Sequence, residues 1–169
     1  MLPYEKTIFV YGAIGLRRTD VQSSEDFDNL ALLLENSIVH HMGNSMYTLG
    51  NFYEHGCIQL GIEPDEDKAT YWYGRAAREN NLEAMYYYGN RLVAHSNSGE
   101  NVELQNLGFS YMEKAADGGF PPAQFMVGLA YKLGIMGERN YEKALFYLRK
   151  ASQAGETEAD EVIQEIIGR

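Results

Sequence analysis

The chain has 169 residues, 45% of them hydrophobic and 12% aromatic, which suits one packed domain or a short helical array. Its 24 acidic and 14 basic side chains give a formal net charge of −10, with no basic stripe to neutralise phosphates, so nucleic acid is not an expected ligand. Cys57 is the only cysteine, which excludes an intramolecular disulfide or a thiolate metal site within a monomer and suits a reducing, cytoplasmic setting.

At the N-terminus, the apolar patch from Ile8 to Leu16 follows Glu5 and Lys6 and is not closed by a small-residue cleavage site, so a signal peptide is not expected. No apolar run approaches the roughly 20 residues that span a bilayer, and no membrane role is expected. Within this stretch, Thr7 to Tyr11-Gly12 shows a small residue, three variable ones, a large residue and glycine. That pattern returns at Ser45 to Leu49-Gly50, Ala84 to Tyr88-Gly89 and Ala123 to Val127-Gly128, the last three at intervals of thirty-nine. We denote the helix that carries it A.

A second pattern, B, follows each A. In DKATYWYGRAARENN, from Asp67 to Asn81, Lys68, Ala69, Trp72, Ala76 and Ala77 fall on one helical stripe. Gly108, Tyr111, Ala115 and Ala116 repeat the offsets thirty-nine residues on, and Ala144, Tyr147, Ala151 and Ser152 repeat them after thirty-six more. In the opening stretch Asp26 to Ile38 falls in the B place, with Leu33 at the position of Trp72. The spacing therefore predicts four helix-pair repeats, at about 4–43 (degenerate), 44–81, 82–119 and 120–155. Residues 156–169 follow as a polar capping helix, in which Glu158 to Ile167 continues as an A helix with Gln164 in place of the glycine. The single expected domain is 1–169.

The boundaries have local causes. Pro121 and Pro122 open an A helix, where a missing N–H costs nothing. Pro64 precedes Asp65, Glu66 and Asp67, acids suited to the positive end of the next helix, and this capping role outweighs acid–base catalysis for the pair Asp65 and Asp67. Asn80-Asn81, Gly118-Gly119 and Gly155 end B helices. The A-to-B loops, Gly56 to Asp65, Ser96 to Asn101 and Gly134 to Asn140, are longer than minimal turns. Glycine inside a helix costs about 1 kcal/mol relative to alanine. Gly50, Gly89 and Gly128 are therefore expected to receive side chains from a neighbouring B helix, with Tyr53 and Tyr131 on the same buried stripe.

These residues resemble the Sel1-like repeat family, relatives of the tetratricopeptide repeats: AMYYYG, AQFMVGLAY, DKATYWYGRAA and YEKALFYLRKA fit its pattern in order and register. The resemblance implies an all-α, right-handed α-α superhelix (solenoid) with A helices on the concave side. It also implies a non-enzymatic role in protein–protein interaction, as adaptor, regulator or toxin-immunity factor. By the same resemblance the groove positions are Tyr47, Asn51 and Glu54, then Tyr86, Asn90 and Val93, then Phe125, Leu129 and Lys132. Aromatics there supply contact area and asparagines can grip a peptide backbone, whereas the blander reading has the aromatics filling space between A helices. If Tyr88 packs inside, in the register of Leu49 and Val127, Tyr86 must project elsewhere.

No cofactor or metal is expected. His40-His41, His55 and His95 do not form the i, i+4 pair of a helical zinc site, and Tyr11-Gly12-Ala13-Ile14-Gly15 lacks the remainder of a phosphate loop. One secreted, cysteine-rich branch of the family is connected with β-lactam binding or hydrolysis. With Cys57 alone and no Ser-x-x-Lys, that activity is an alternative only. A self-assembling structural role is a further alternative, and the expected partner of a monomer is another protein or peptide.

Overall fold

A computed structural model describes residues 42–56, 63–96 and 101–168. Among them lie seven α-helices and no strand: α1 (Met42–His55), α2 (Glu66–Arg78), α3 (Leu82–His95), α4 (Val102–Asp117), α5 (Pro121–Leu133), α6 (Tyr141–Gln153) and α7 (Glu158–Ile167). Helices α1, α3, α5 and α7 occupy the A places and α2, α4 and α6 the B places. The degenerate opening repeat up to residue 41, the His40-His41 pair and Cys57 lie outside the described residues.

Side chains set the starts of the B helices. Asp65, Asn101 and Asn140 each accept, through Oδ1, the backbone N–H three residues on, at 2.9 Å in all three cases. Each such bond satisfies one of the N–H groups that a helix start leaves without a partner. The Lys68 backbone bond holds the Asp65 carboxyl below its ordinary range, with the Lys68 side chain adding to it. Asp65 is thus a cap, as its sequence position suggests. Helix α4 is capped by Asn101, one turn upstream of the register, and runs 16 residues against 13 in α2 and in α6. Helix α5 opens on Pro121 and Pro122 without a side-chain cap. The chain leaves the B helices through left-handed residues at Asn80 (φ 61°), Gly119 (φ 94°) and Gly155 (φ 102°), where a β-carbon is tolerated poorly except on asparagine.

Contacts divide the chain into two compact units, one ending at Ala84 and the next beginning at Met85, within the first turn of α3. In the first unit α1 packs on α2, and the interior is built from Leu49, Phe52, Tyr53, Ala69, Trp72, Tyr73 and the pair Ala76-Ala77, all buried. Trp72 is 7% exposed, so the large aromatic of the B stripe is a core residue. In the second unit α4, α5, α6 and α7 pack in succession around Met112, Ala115, Ala116, Ala123, Val127, Leu148, Ala151, Ala159 and Ile163. The small residues let neighbouring helices approach while the large ones fill the space between.

The glycines explain the closest approaches. A β-carbon on Gly50 would lie 2.6 Å from Cδ1 of Tyr73, and one on Gly128 would lie 2.7 Å from Cγ of Leu148, each a side chain of the following B helix. At Gly89 the expectation is corrected in part: Met112 of α4 reaches the site, but the nearest atom is the backbone carbonyl oxygen of Gly108. Tyr53 and Tyr131 are buried as expected. Tyr88 differs, being only half-buried with its ring edge on Tyr111 at 5.2 Å. Tyrosine is longer than the leucine and valine at the matching places, and its hydroxyl favours an edge that reaches water.

Candidate functional site

Three of the A helices, α1, α3 and α5, each carry one of the expected trios. Tyr47, Asn51 and Glu54 on α1 are spaced i, i+4, i+7, and so are Tyr86, Asn90 and Val93 on α3 and Phe125, Leu129 and Lys132 on α5. That spacing places each trio on one helical face. All nine are half-buried: none is in the core and none is fully exposed. The first trio belongs to the first unit and the other two to the second.

Their surroundings differ. The Tyr47 ring lies 5.8 Å from that of Tyr73, and Glu54 accepts the Tyr73 hydroxyl, so both also hold α1 to α2. Tyr86 meets Phe120 edge-on at 5.5 Å and Tyr87 at 5.3 Å. Lys132 is paired with Glu165 of α7. The side-chain amides of Asn51 and Asn90 make no hydrogen bond to any described residue; the Nδ1 of His55 lies 3.1 Å from the backbone carbonyl oxygen of Asn51. His55 and His95 sit at the ends of α1 and α3 with Nδ1 against the carbonyl four residues back, a helix-ending arrangement.

Behind these stripes lies a layer that periodicity does not reveal. Tyr131 donates to Glu113 Oε1 at 2.6 Å and receives the Lys143 ammonium at 3.1 Å. Tyr147 donates to Asp117 Oδ1 at 2.8 Å, and its ring stacks on that of Tyr131 at 6.1 Å and 2°. Burial pushes both phenols above their ordinary value, and the carboxylates they face push them further. Lys143 lies 4.7 Å from the Tyr131 ring centroid, and Lys68 lies 5.1 Å from that of Tyr53, the same pair in another repeat. The backbone N–H groups of the caps Asp65 and Asn140 donate to the carbonyls of these two tyrosines, at 2.7 and 3.0 Å. The A-helix tyrosine therefore organises the return of the chain into the B helix. The available signal was a Tyr three residues after the A-helix glycine and a Lys just before the first B-helix alanine, in the first and third of these repeats but not in the second, which has Leu92 and Leu107 there.

Among the described residues no group of three or more His, Cys, Asp or Glu side chains could hold a metal ion. No helix among them is long and apolar enough to cross a membrane. The arrangement offers contact surface, amides and charges on A-helix faces supported by a hydrogen-bonded layer.

The model of the Sel1 repeat matches this chain three times, at residues 43–81, 82–120 and 121–156. The chain belongs to the Sel1 repeat family. Two crystal structures are similar to it. A Sel1 repeat protein from Oxalobacter formigenes is 30% identical with a TM-score of 0.61, over 73% of this chain and 88% of that one. The second is c5321, a protective antigen present in uropathogenic Escherichia coli strains that displays an SLR fold. It is 22% identical with a TM-score of 0.63, over 83% of this chain and 28% of that one. With its helices and these relatives, the fold is of the all-α helical-repeat solenoid class. Sel1 repeat proteins generally mediate protein–protein interaction and act as non-enzymatic scaffolds.

Proposed function

We propose that this chain is a non-enzymatic binding protein that captures another protein or a peptide on its A-helix faces, as an adaptor, regulator or toxin-immunity factor in the cytoplasm. The contact positions are Tyr47, Asn51 and Glu54 in the first unit and Tyr86, Asn90, Phe125, Leu129 and Lys132 in the second. The observation that carries this reading is the pair of half-buried amides of Asn51 and Asn90, each directly after an A-helix glycine and without a hydrogen-bond partner among the described residues. An amide can donate to a carbonyl and accept from an N–H of the same peptide strand, while the neighbouring aromatics supply apolar contact. We further propose that the repeat domain extends over 1–169, with the opening repeat at 4–43 and the capping helix at 156–169.

The test is the double variant Asn51→Ala, Asn90→Ala. Alanine is the better helix former, so the free protein should melt at the same temperature or slightly higher. Removing an amide from a formed interface leaves a desolvated partner group unpaired, at about 1 to 3 kcal/mol each. The expected outcome, by calorimetry against a partner isolated by pull-down, is at least a tenfold loss of affinity. Equal affinity with unchanged melting would move recognition off the A-helix faces.

A further inference from the structure

The charge pattern of the second unit goes further and specifies the chemistry of the partner, on the reading that A-helix faces bind. Helices α3, α5 and α7 follow one another as A helices, tied by the Tyr86–Phe120 contact and the Lys132–Glu165 ion pair. The register continues into α7: Glu161 and Glu165 stand thirty-six residues after Phe125 and Leu129, in the places those residues hold on α5. The face therefore changes character along the row, from Tyr86 and Asn90 on α3, through Phe125 and Leu129 on α5, to carboxylates on α7.

The charges on this face do not cancel. Lys132, the basic member of the α5 stripe, is 13% exposed at its side chain and committed to Glu165. On the α7 surface Asp160 accepts the Ser152 hydroxyl at 2.7 Å. Glu161 is exposed and has no partner among the described residues. Helix α7 carries Glu158, Asp160, Glu161 and Glu165 and no basic residue. This field adds to that of a chain with a formal net charge of −10, so a cationic segment is drawn in and an anionic one repelled.

We propose that the A-helix face of the second unit takes a basic segment with an apolar anchor: the apolar residue packs over Phe125 and Leu129 while a lysine or arginine of the partner meets Glu161. Apolar contact supplies most of the affinity and the carboxylate supplies direction and discrimination.

A random dodecapeptide display library selected on the immobilised full chain tests this at physiological salt. The selected peptides should be enriched severalfold in Lys and Arg beside Leu, Phe or Trp. On Glu161→Lys the basic enrichment should vanish, whereas on Glu103→Lys, the same reversal at an exposed site on α4, it should persist; thermal melts confirm that each variant folds. Equal loss in both variants would mean attraction to bulk charge and overturns the proposal. Selected peptides that are apolar but not basic, and that are lost on Leu129→Gln, overturn the basic partner while leaving the A-helix reading in place. Peptides indifferent to both Glu161→Lys and Leu129→Gln overturn both.

Discussion

Gly89 of α3 and Gly108 of α4 face each other backbone to backbone. A β-carbon on Gly89 would lie 2.6 Å from the carbonyl oxygen of Gly108, and one on Gly108 would lie 2.7 Å from that of Gly89. Each glycine is helical and each is the residue the other requires. Alanine gains about 1 kcal/mol of helix propensity over glycine, but here it must push apart two rigid backbones, and overpacking of this kind costs typically 1–3 kcal/mol. Gly89→Ala is therefore expected to lower the denaturation midpoint, and Gly89→Leu to lower it further. A midpoint raised by Gly89→Ala would show that the helices separate easily.

Trp72 is the largest side chain of the first unit's interior, 7% exposed, with its ring edge-on to Tyr71 at 5.2 Å and the Arg75 guanidinium 5.3 Å from its centroid. Truncating a buried tryptophan to alanine costs about 3–5 kcal/mol, and stability in repeat proteins depends on neighbouring interfaces. Trp72→Ala should therefore lower the melting temperature by many degrees. A melting temperature within a degree of the parent would place the ring at the surface.

Much of this fold was legible because repetition amplifies weak signals. One Ala76-Ala77 pair says little, but its return as Ala115-Ala116 identifies a packing stripe, and all four are buried. The cap at Asp65 was legible from the acids after Pro64. The tyrosine–carboxylate bonds were not, because Tyr73 and Glu54 are 19 residues apart, Tyr131 and Glu113 18, and Tyr147 and Asp117 30. A period says which helices stack, not which polar atoms meet across them. The half-burial of the A-helix stripes was equally beyond the sequence, since Tyr47 and Glu54 divide their surface between solvent and Tyr73.

Asn81 joins two helix starts. It is 8% exposed; its Nδ2 donates to Asn44 Oδ1 at 2.8 Å and its Oδ1 accepts the Ala84 N–H at 2.7 Å. Asn81→Ala leaves that buried N–H without a partner, at about 1–3 kcal/mol. Asn81→Asp retains the acceptor, and the exposed Asn44 amide can turn to donate to the carboxylate. Urea denaturation should show a clear loss for alanine and recovery of most of it for aspartate. Equal losses would mean that the bond to Asn44, in its present orientation, is the one that matters.

The last prediction concerns alkaline pH and the stacked pair Tyr131 and Tyr147. Both phenols are raised above the ordinary value of 10.0, chiefly by burial and then by the carboxylates of Glu113 and Asp117 that they face. A group whose folded value is raised contributes stability that is fully present below its unfolded value and is lost as pH rises through the folded one. The second unit should therefore hold its stability up to about pH 10 and lose it progressively above that, where unfolded tyrosine ionises and the buried phenols resist. Tyr147→Phe keeps the ring stack but removes the bond to Asp117, which is solvent-exposed and can be rehydrated. The cost at neutral pH should be only about 0.5–1.5 kcal/mol, and the alkaline loss should become shallower. Tyr71→Phe, at a ring 58% exposed, serves as the control and should change neither. Urea midpoints across the alkaline range, with tyrosinate absorbance followed in parallel, give the answer: an alkaline slope unaltered by Tyr147→Phe would assign the loss to other groups.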